Sequence, residues 1–227
     1  MRKLYPVYLL VIVVFLLAGV YLAFAIDLPK WFPFNTKSTL QEWQEKVFKD
    51  RVMYTVNPDE EDGYLRAVSN KACSGLVYRM SFDPKEYPMM SWEWKVTKFP
   101  EKDRAAGEGS GGWIEKDDYA ARVYVIFPSW IFTSTRSIEY VWDEALQEET
   151  VMTSPYFGNI KIIVVQSGRD FMDTWVSETR NIYEDYEKSF GSRPPMAGAI
   201  ALMTDTDNTL STAEAAYKNI RVGYKDE

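Results

Sequence analysis

Histidine is absent from all 227 residues, and cysteine occurs once, as Cys73. The first absence excludes Ser-His-Asp and Cys-His catalysis and every histidine-ligated metal site. The second excludes an intrachain disulfide, so the fold rests on its own core, helped at most by a bound ion. Cys73 lies in a strand-like stretch, where a lone thiol without a histidine partner reads as a small core residue. Basic clusters are missing as well. The net charge is −7, and nothing downstream of the first segment gathers the Lys and Arg that phosphate backbones require, so no nucleic-acid partner is expected.

What is present is aromatic. Phe, Trp and Tyr make up 15% of the chain, with 8 Trp and 15 Tyr, which favours a packed β protein over a disordered one. The length beyond the leading hydrophobic segment fits one ordinary domain with a real core.

That leading segment runs from Leu4 to Ile26 without a charge, behind Arg2 and Lys3 and ahead of Asp27. As a helix its 23 residues span about 34 Å, enough to cross a hydrocarbon core of about 30 Å. The positive charges precede it, so the body of the protein is expected outside the cytoplasm, periplasmic or extracellular, with residues 4–26 in the lipid bilayer. Ala23-Phe24-Ala25 also has the form of a signal-peptidase site, but the apolar run is longer than signal peptides use, which favours an uncleaved anchor.

The expected organisation is therefore a membrane anchor over 1–26, a linker and short helix over 27–50, and a domain over 51–227. In the linker, Pro29 and Pro33 stiffen the chain, and Trp31, Phe32 and Phe34 suit either a membrane-interface belt or the domain edge. Ser38-Thr39-Leu40-Gln41 resembles a capping box, with Leu40, Trp43 and Val47 at helical spacing. From there the period changes to two. Strands are predicted at Arg51–Val56, Tyr64–Ser69, Ser74–Phe82, Met90–Thr97, Tyr119–Phe127, Arg136–Trp142, Ile160–Ser167, Thr174–Arg180, Ala197–Thr204 and Ala215–Tyr224, separated by Asn-Pro, Asp-Gly, Asp-Pro, Ser-Pro and Ser-Gly turns. Some ten short strands with one or two short helices indicate an all-β sandwich of jelly-roll type. One late helix is expected from Asn181 and Glu184 as a cap pair, with a stop at Gly191 and Pro194-Pro195. Lys98 to Asp118 is a long connection holding Gly107, Gly109, Gly111 and Gly112, a length that marks a functional or mobile loop.

Several motifs occur in a fixed order: Leu65-Arg66-Ala67, Ser74-Gly75-Leu76, Ser91-Trp92-Glu93-Trp94-Lys95-Val96, Asp117-Asp118-Tyr119-Ala120-Ala121-Arg122-Val123-Tyr124-Val125, Tyr140-Val141-Trp142, Asn159-Ile160-Lys161 and Met203-Thr204-Asp205-Thr206-Asp207-Asn208-Thr209. Together they resemble an uncharacterised bacterial family, domain of unknown function 3047, over Tyr64 to Val222. The resemblance implies the fold and no particular chemistry. The closing segment Tyr217–Val222 also resembles the last strand of galactose-binding-like jelly rolls, and fold alone does not fix function.

Arg122 is the sharpest anomaly. Its neighbours along the strand are apolar, so the guanidinium is expected to be partly buried and to need an acid or a ligand. Asp118, Glu93, Glu139 and Asp205 are the acids available to it. A structural ion pair is one outcome; the other is an Arg fork holding a carboxylate, a phosphate or sugar hydroxyls, with Asp118, Glu93, Tyr124 and Trp142 completing the ligand set. Trp92 and Trp94 share one strand face, as do Ile138, Tyr140 and Trp142, stripes that serve a core or a sugar platform. Asp205, Asp207 and Asn208 offer hard oxygens at alternating spacing, which suits Ca²⁺ and equally suits an Asx-turn. The function expected is a membrane-anchored binding module for a carbohydrate or other polar envelope ligand. A glycan hydrolase or lyase working through Asp, Glu and Arg is the alternative, and a scaffold docking a membrane partner is the third.

Overall fold

Strands recur from one end of the described residues to the other, joined by turns and loops. The computed structural model describes residues 28–59, 62–102 and 117–225. The expected anchor over 1–26 and the glycine-rich interior of the 98–118 connection lie outside the described residues. Among the described residues no helix is long and apolar enough to cross a membrane.

Thirteen strands are present among the described residues: β1 (Lys30–Phe32), β2 (Gln44–Lys49), β3 (Met53–Asn57), β4 (Tyr64–Asn70), β5 (Cys73–Phe82), β6 (Met89–Lys98), β7 (Ala121–Phe127), β8 (Arg136–Asp143), β9 (Val151–Thr153), β10 (Ile160–Ser167), β11 (Val176–Asn181), β12 (Ala197–Asp205) and β13 (Thr212–Tyr224). They form two sheets. Sheet A has the order β11-β6-β13-β4-β3, with β1 on β13 as well; sheet B has the order β2-β5-β12-β7-β8-β10-β9. All pairs are antiparallel except β8 with β10. The chain repeatedly crosses from one sheet to the other, the pattern of a jelly-roll sandwich.

Every segment predicted as a strand is one. The segment expected as a linker and short helix differs. Lys37–Glu42 forms only a 3₁₀ turn, and β1 and β2 flank it. Phe32 and Phe34 are buried, and Phe32 meets Trp43 and Tyr78 with ring centroids 5.1 and 4.7 Å away, so these rings pack on the domain while Trp31 stays exposed. Helix α1 (Ile182–Phe190) follows the predicted rule, with Asn181 Oδ1 accepting the Glu184 N–H and Gly191 in the left-handed region.

The period-two alternation decides which residues meet between the sheets. Leu65, Trp92, Trp94, Val96, Ala215 and Tyr217 come from sheet A, and Val123, Val125, Phe127, Ile138, Tyr140, Trp142, Ile200 and Leu202 from sheet B. Trp92 lies 5.3 Å from Tyr140 and Trp94 6.1 Å from Trp142, centroid to centroid. Truncating such a ring costs about 3–5 kcal/mol.

The strands apolar on both faces, β10 and β12, sit inside sheet B rather than at its rim. Their outward residues join two further apolar clusters on the far side of sheet B. One holds Val77, Ile126, Ala199 and Ala201; the other holds Tyr119, Val141, Ile162 and Val164. The outer face of sheet B is thus partly dry, which a plain solvent-facing sheet is not.

Candidate functional site

On β7 the inward residues are Val123, Val125 and Phe127, so Arg122, Tyr124 and Ile126 point outward from sheet B. Register places Arg122 between Met203 of β12 and Val141 of β8, and Tyr124 between Ala201 and Glu139. Glu139 and Asp205 therefore stand diagonal to Arg122 on its two neighbouring strands, within reach of a long side chain. Both are its partners: Nη1 lies 2.8 Å from Glu139 Oε1, and Nη2 lies 2.8 Å from Asp205 Oδ2. Nη1 also donates to the Tyr124 hydroxyl at 3.1 Å, and Nη2 to the Asp117 carbonyl. Asp117 Oδ1 is 3.6 Å from Nη1, and the Tyr119 ring lies 4.7 Å from the guanidinium carbon.

Three carboxyls thus share one buried guanidinium. Burial opposes the Arg122 charge, yet Asp205, Tyr124, Glu139 and Asp117 around it hold its pKa well above the ordinary value. Burial also raises the carboxyl pKa of Glu139 and Asp205, and Arg122 only partly offsets this. Asp117 stands farthest from the guanidinium, and burial pushes it up to about 7 against the pull of Arg122 and Lys102. Its Oδ1 is buried with no hydrogen-bond partner among the described residues, and its Oδ2 has the Ser154 hydroxyl at 3.5 Å.

This cluster forms the floor of a cavity of about 110 Å³ on the outer face of sheet B. Val77, Ile126 and Ala201 line its apolar wall, Phe48, Tyr156 and Phe157 bring aromatic rings, and Thr135, Ser137 and Ser154 bring hydroxyls. Tyr156 is 43% exposed, so its ring is accessible at the rim.

The structure brings Arg122 and Tyr124 together in the cleft and sends the other expected ligand residues elsewhere. Glu93 lies on sheet A, where it accepts from Asn219 Nδ2 at 2.7 Å and pairs with Lys218 at 3.6 Å. Trp142 points inward, its Nε1 donating to the Gly168 carbonyl at 3.0 Å. Asp118 stands behind the cluster and caps the turn after β12, accepting the backbone N–H of Asn208 at 3.2 Å and of Thr209 at 2.6 Å. The expected cation ligands are largely engaged already. Asp205 accepts the Tyr119 N–H at 3.1 Å on one oxygen and Arg122 on the other, and Asn208 Oδ1 accepts the Tyr156 hydroxyl at 3.3 Å. Cys73 is buried, as expected of a small core residue, and its thiol lies with Asp205 and Asp207 so that their ligand atoms come within 4.8 Å of one another. Tyr156 and Phe157 gave no signal in the sequence, because a loop between two strands has no period to read.

Three similar solved structures illustrate what the fold resembles. The family 11 carbohydrate-binding module of a Clostridium thermocellum cellulase is 10% identical, with a TM-score of 0.43, covering 82% of this chain and 89% of its own. The CBM22-1 xylan-binding domain of Paenibacillus barcinonensis Xyn10C is 11% identical, with a TM-score of 0.43, covering 89% and 100%. The Trichoderma harzianum endoglucanase 3 of family GH12 is 9% identical, with a TM-score of 0.43, covering 82% and 98%. Overlaps at this level establish neither a shared ligand nor a shared activity. No curated protein sequence matches the chain. A family model matches residues 41–221, and the chain belongs to that family, described as Protein of unknown function (DUF3047).

Proposed function

We propose that this protein is a membrane-tethered, extracytoplasmic glycan-binding module whose ligand lies in the cleft on the outer face of sheet B. The observation that carries the reading is the acid-rich polar floor of an otherwise apolar and aromatic cleft. Both terminal nitrogens of Arg122 are already engaged by Glu139, Asp205, Tyr124 and the Asp117 carbonyl. A carboxylate or phosphate ligand would find no free fork and a surplus of negative charge. Sugar hydroxyls, by contrast, donate to carboxyl oxygens, and a pyranose face suits the Tyr156 and Phe157 rings. The tether is residues 4–26. Leu28 packs directly on Gly223 of β13, and β1 begins at Lys30, so the sandwich would sit close to the bilayer rather than on a loose stalk.

The test is titration of the detergent-solubilised chain against a panel of neutral and charged oligosaccharides by calorimetry. Binding of at least one saccharide, weakened by Tyr156→Ala and by Asp117→Asn, supports the proposal. Absence of binding across all classes overturns it. A second reading, hydrolysis, draws on one observation: Asp117, pushed to about 7, is partly protonated at neutral pH and shares the Arg122 nitrogen with Glu139. A half-protonated acid beside a second carboxyl is the equipment of a glycosidase. Release of reducing ends that Asp117→Asn abolishes while binding persists would move the assignment from binder to enzyme.

A further inference from the structure

Among the described residues lining the cleft, the charged side chains are Lys46, Arg122, Asp117, Glu139, Asp205 and Asp207. Carboxyls outnumber cations two to one. The positive charge of Arg122 is divided between Glu139 and Asp205 at 2.8 Å each, and Lys102 behind the cluster pairs with Asp143 at 3.0 Å. Lys49 donates to the Asp207 backbone carbonyl at 3.1 Å, and burial raises the Asp207 carboxyl although Lys49 and the Cys73 thiol pull it down. Asp117 Oδ1 is buried and, among the described residues, accepts no hydrogen bond, with Arg122 Nη1 3.6 Å away. A buried acceptor without a donor is destabilising, and a poorly compensated charge more so.

We propose that the saccharide bound in this cleft carries a protonated amino group, an amino sugar without its acetyl cap, seated against Asp117 Oδ1. The proposal rests on the reading of the cleft as a saccharide site. A neutral hydroxyl would supply a hydrogen bond to Asp117, and an ammonium supplies the bond together with the missing charge. An N-acetyl group removes that charge, and a uronate adds to the existing surplus. A bare metal ion would satisfy the carboxyls but has no use for the surrounding apolar and aromatic wall. Val77, Ile126, Ala201, Tyr124 and Phe157 instead cover a carbon skeleton. The amine is therefore part of an organic ligand.

Protonation gives a second handle. Among the described residues, the titratable groups facing Asp117 are Arg122, Glu139, Lys102, Asp118, Asp205, Tyr119 and Tyr124. Their balance leaves its carboxyl near 7, so a bound ammonium favours the ionised form and displaces a proton. Affinity for an amine should pass through a maximum, rising as Asp117 ionises at about 7 and falling as the amine loses its own proton, whereas affinity for a neutral sugar should show no such maximum.

The experiment is calorimetry on the solubilised full chain with three probes: a glucosamine pentasaccharide, its fully N-acetylated counterpart and cellopentaose. The expected result is a preference of about tenfold for the glucosamine oligomer at neutral pH, lost in Asp117→Asn. The pH profile of the unaltered protein carries the same test should that variant fold poorly. Equal affinity for all three probes, or a preference for either uncharged one, overturns the amine and leaves the saccharide reading standing. Binding of none of these three probes, and of no other saccharide in the panel, removes both.

Discussion

Arg122 Nη2 and Asp205 Oδ2 lie 2.8 Å apart on adjacent strands of sheet B, both side chains 3% exposed. The pair ties β7 to β12, and Glu139 extends it to β8. Removing the guanidinium leaves buried carboxyls with no counter-charge. Arg122→Leu is expected to lose about 3–5 kcal/mol in urea unfolding at neutral pH. Part of that loss should return near pH 5, since a raised folded-state carboxyl pKa means stability is gained as pH falls. Arg122→Lys should lose less, because one ammonium reaches one acid and not both. A Leu variant as stable as the parent at neutral pH would mean that the cluster contributes nothing to the fold.

The reach of sequence reasoning is clear at this pair. Alternation on β7 identified Arg122 as an outlier, and two of its three carboxyl partners, Glu139 and Asp205, were among its four acidic candidates, while the third, Asp117, was not. Glu93 was indistinguishable from them because alternation gives a face but not a sheet, and β6 belongs to sheet A. Trp142 was undecidable for a related reason: its strand is covered on both faces, so its pattern does not say which face is the cleft. β1 and β9, three residues each, carry no signal, and the spacing of Leu40, Trp43 and Val47 points to a helix where β2, a polar edge strand carrying only Val47 and Phe48, forms instead. Edge strands bury little, so hydrophobic period says little about them.

Gly63 offers a test of the N-terminal packing. A Cβ there would lie 2.6 Å from the Phe34 carbonyl oxygen and 2.9 Å from Asn35 Cα, both backbone atoms that cannot swing aside. Gly63→Ala should therefore push residues 34–35 outward and loosen Phe34, which is fully buried. Overpacking of this kind costs about 1–3 kcal/mol, read as a lowered melting temperature. An unchanged melting temperature would show that the 28–43 segment is not held tightly against the sandwich.

Calcium is expected to compete with Arg122 rather than to add to the fold. A cation coordinated by Asp205 must displace the guanidinium or share the carboxylate with it at close range. Melting curves in millimolar Ca²⁺, Mg²⁺ and EDTA should therefore coincide. A rise of several degrees in Ca²⁺ alone, removed by Asp207→Ala, would restore a cation site at the turn after β12, since an ion bound only to the folded state at a hundred times its Kd adds about 2.7 kcal/mol.

Glu178 on β11 carries the last prediction. It sits at the edge of sheet A beside the Trp94 N–H, and among the described residues its Oε1 and Trp94 Nε1 are both buried without a well-formed hydrogen bond. Burial pushes its carboxyl up to about 7; the Trp94 N–H and Arg180 pull it partly back, and Glu148 and Glu149 push it further. The folded-state value lies above the unfolded one, ordinarily near 4.5. Its contribution is thus most favourable below pH 4.5 and is lost as pH rises through 7. Above that range the fold carries an ionised carboxylate that the unfolded chain would solvate better. Glu178→Gln keeps the shape, lets the amide oxygen face the Trp94 N–H and removes the charge. At pH 8 it should be more stable than the parent by about 1–3 kcal/mol, and near pH 4 the two should converge. Urea unfolding of both proteins across this range measures the difference directly. A Gln variant equal to or weaker than the parent at pH 8 would show that Glu178 is solvated or paired in the folded protein.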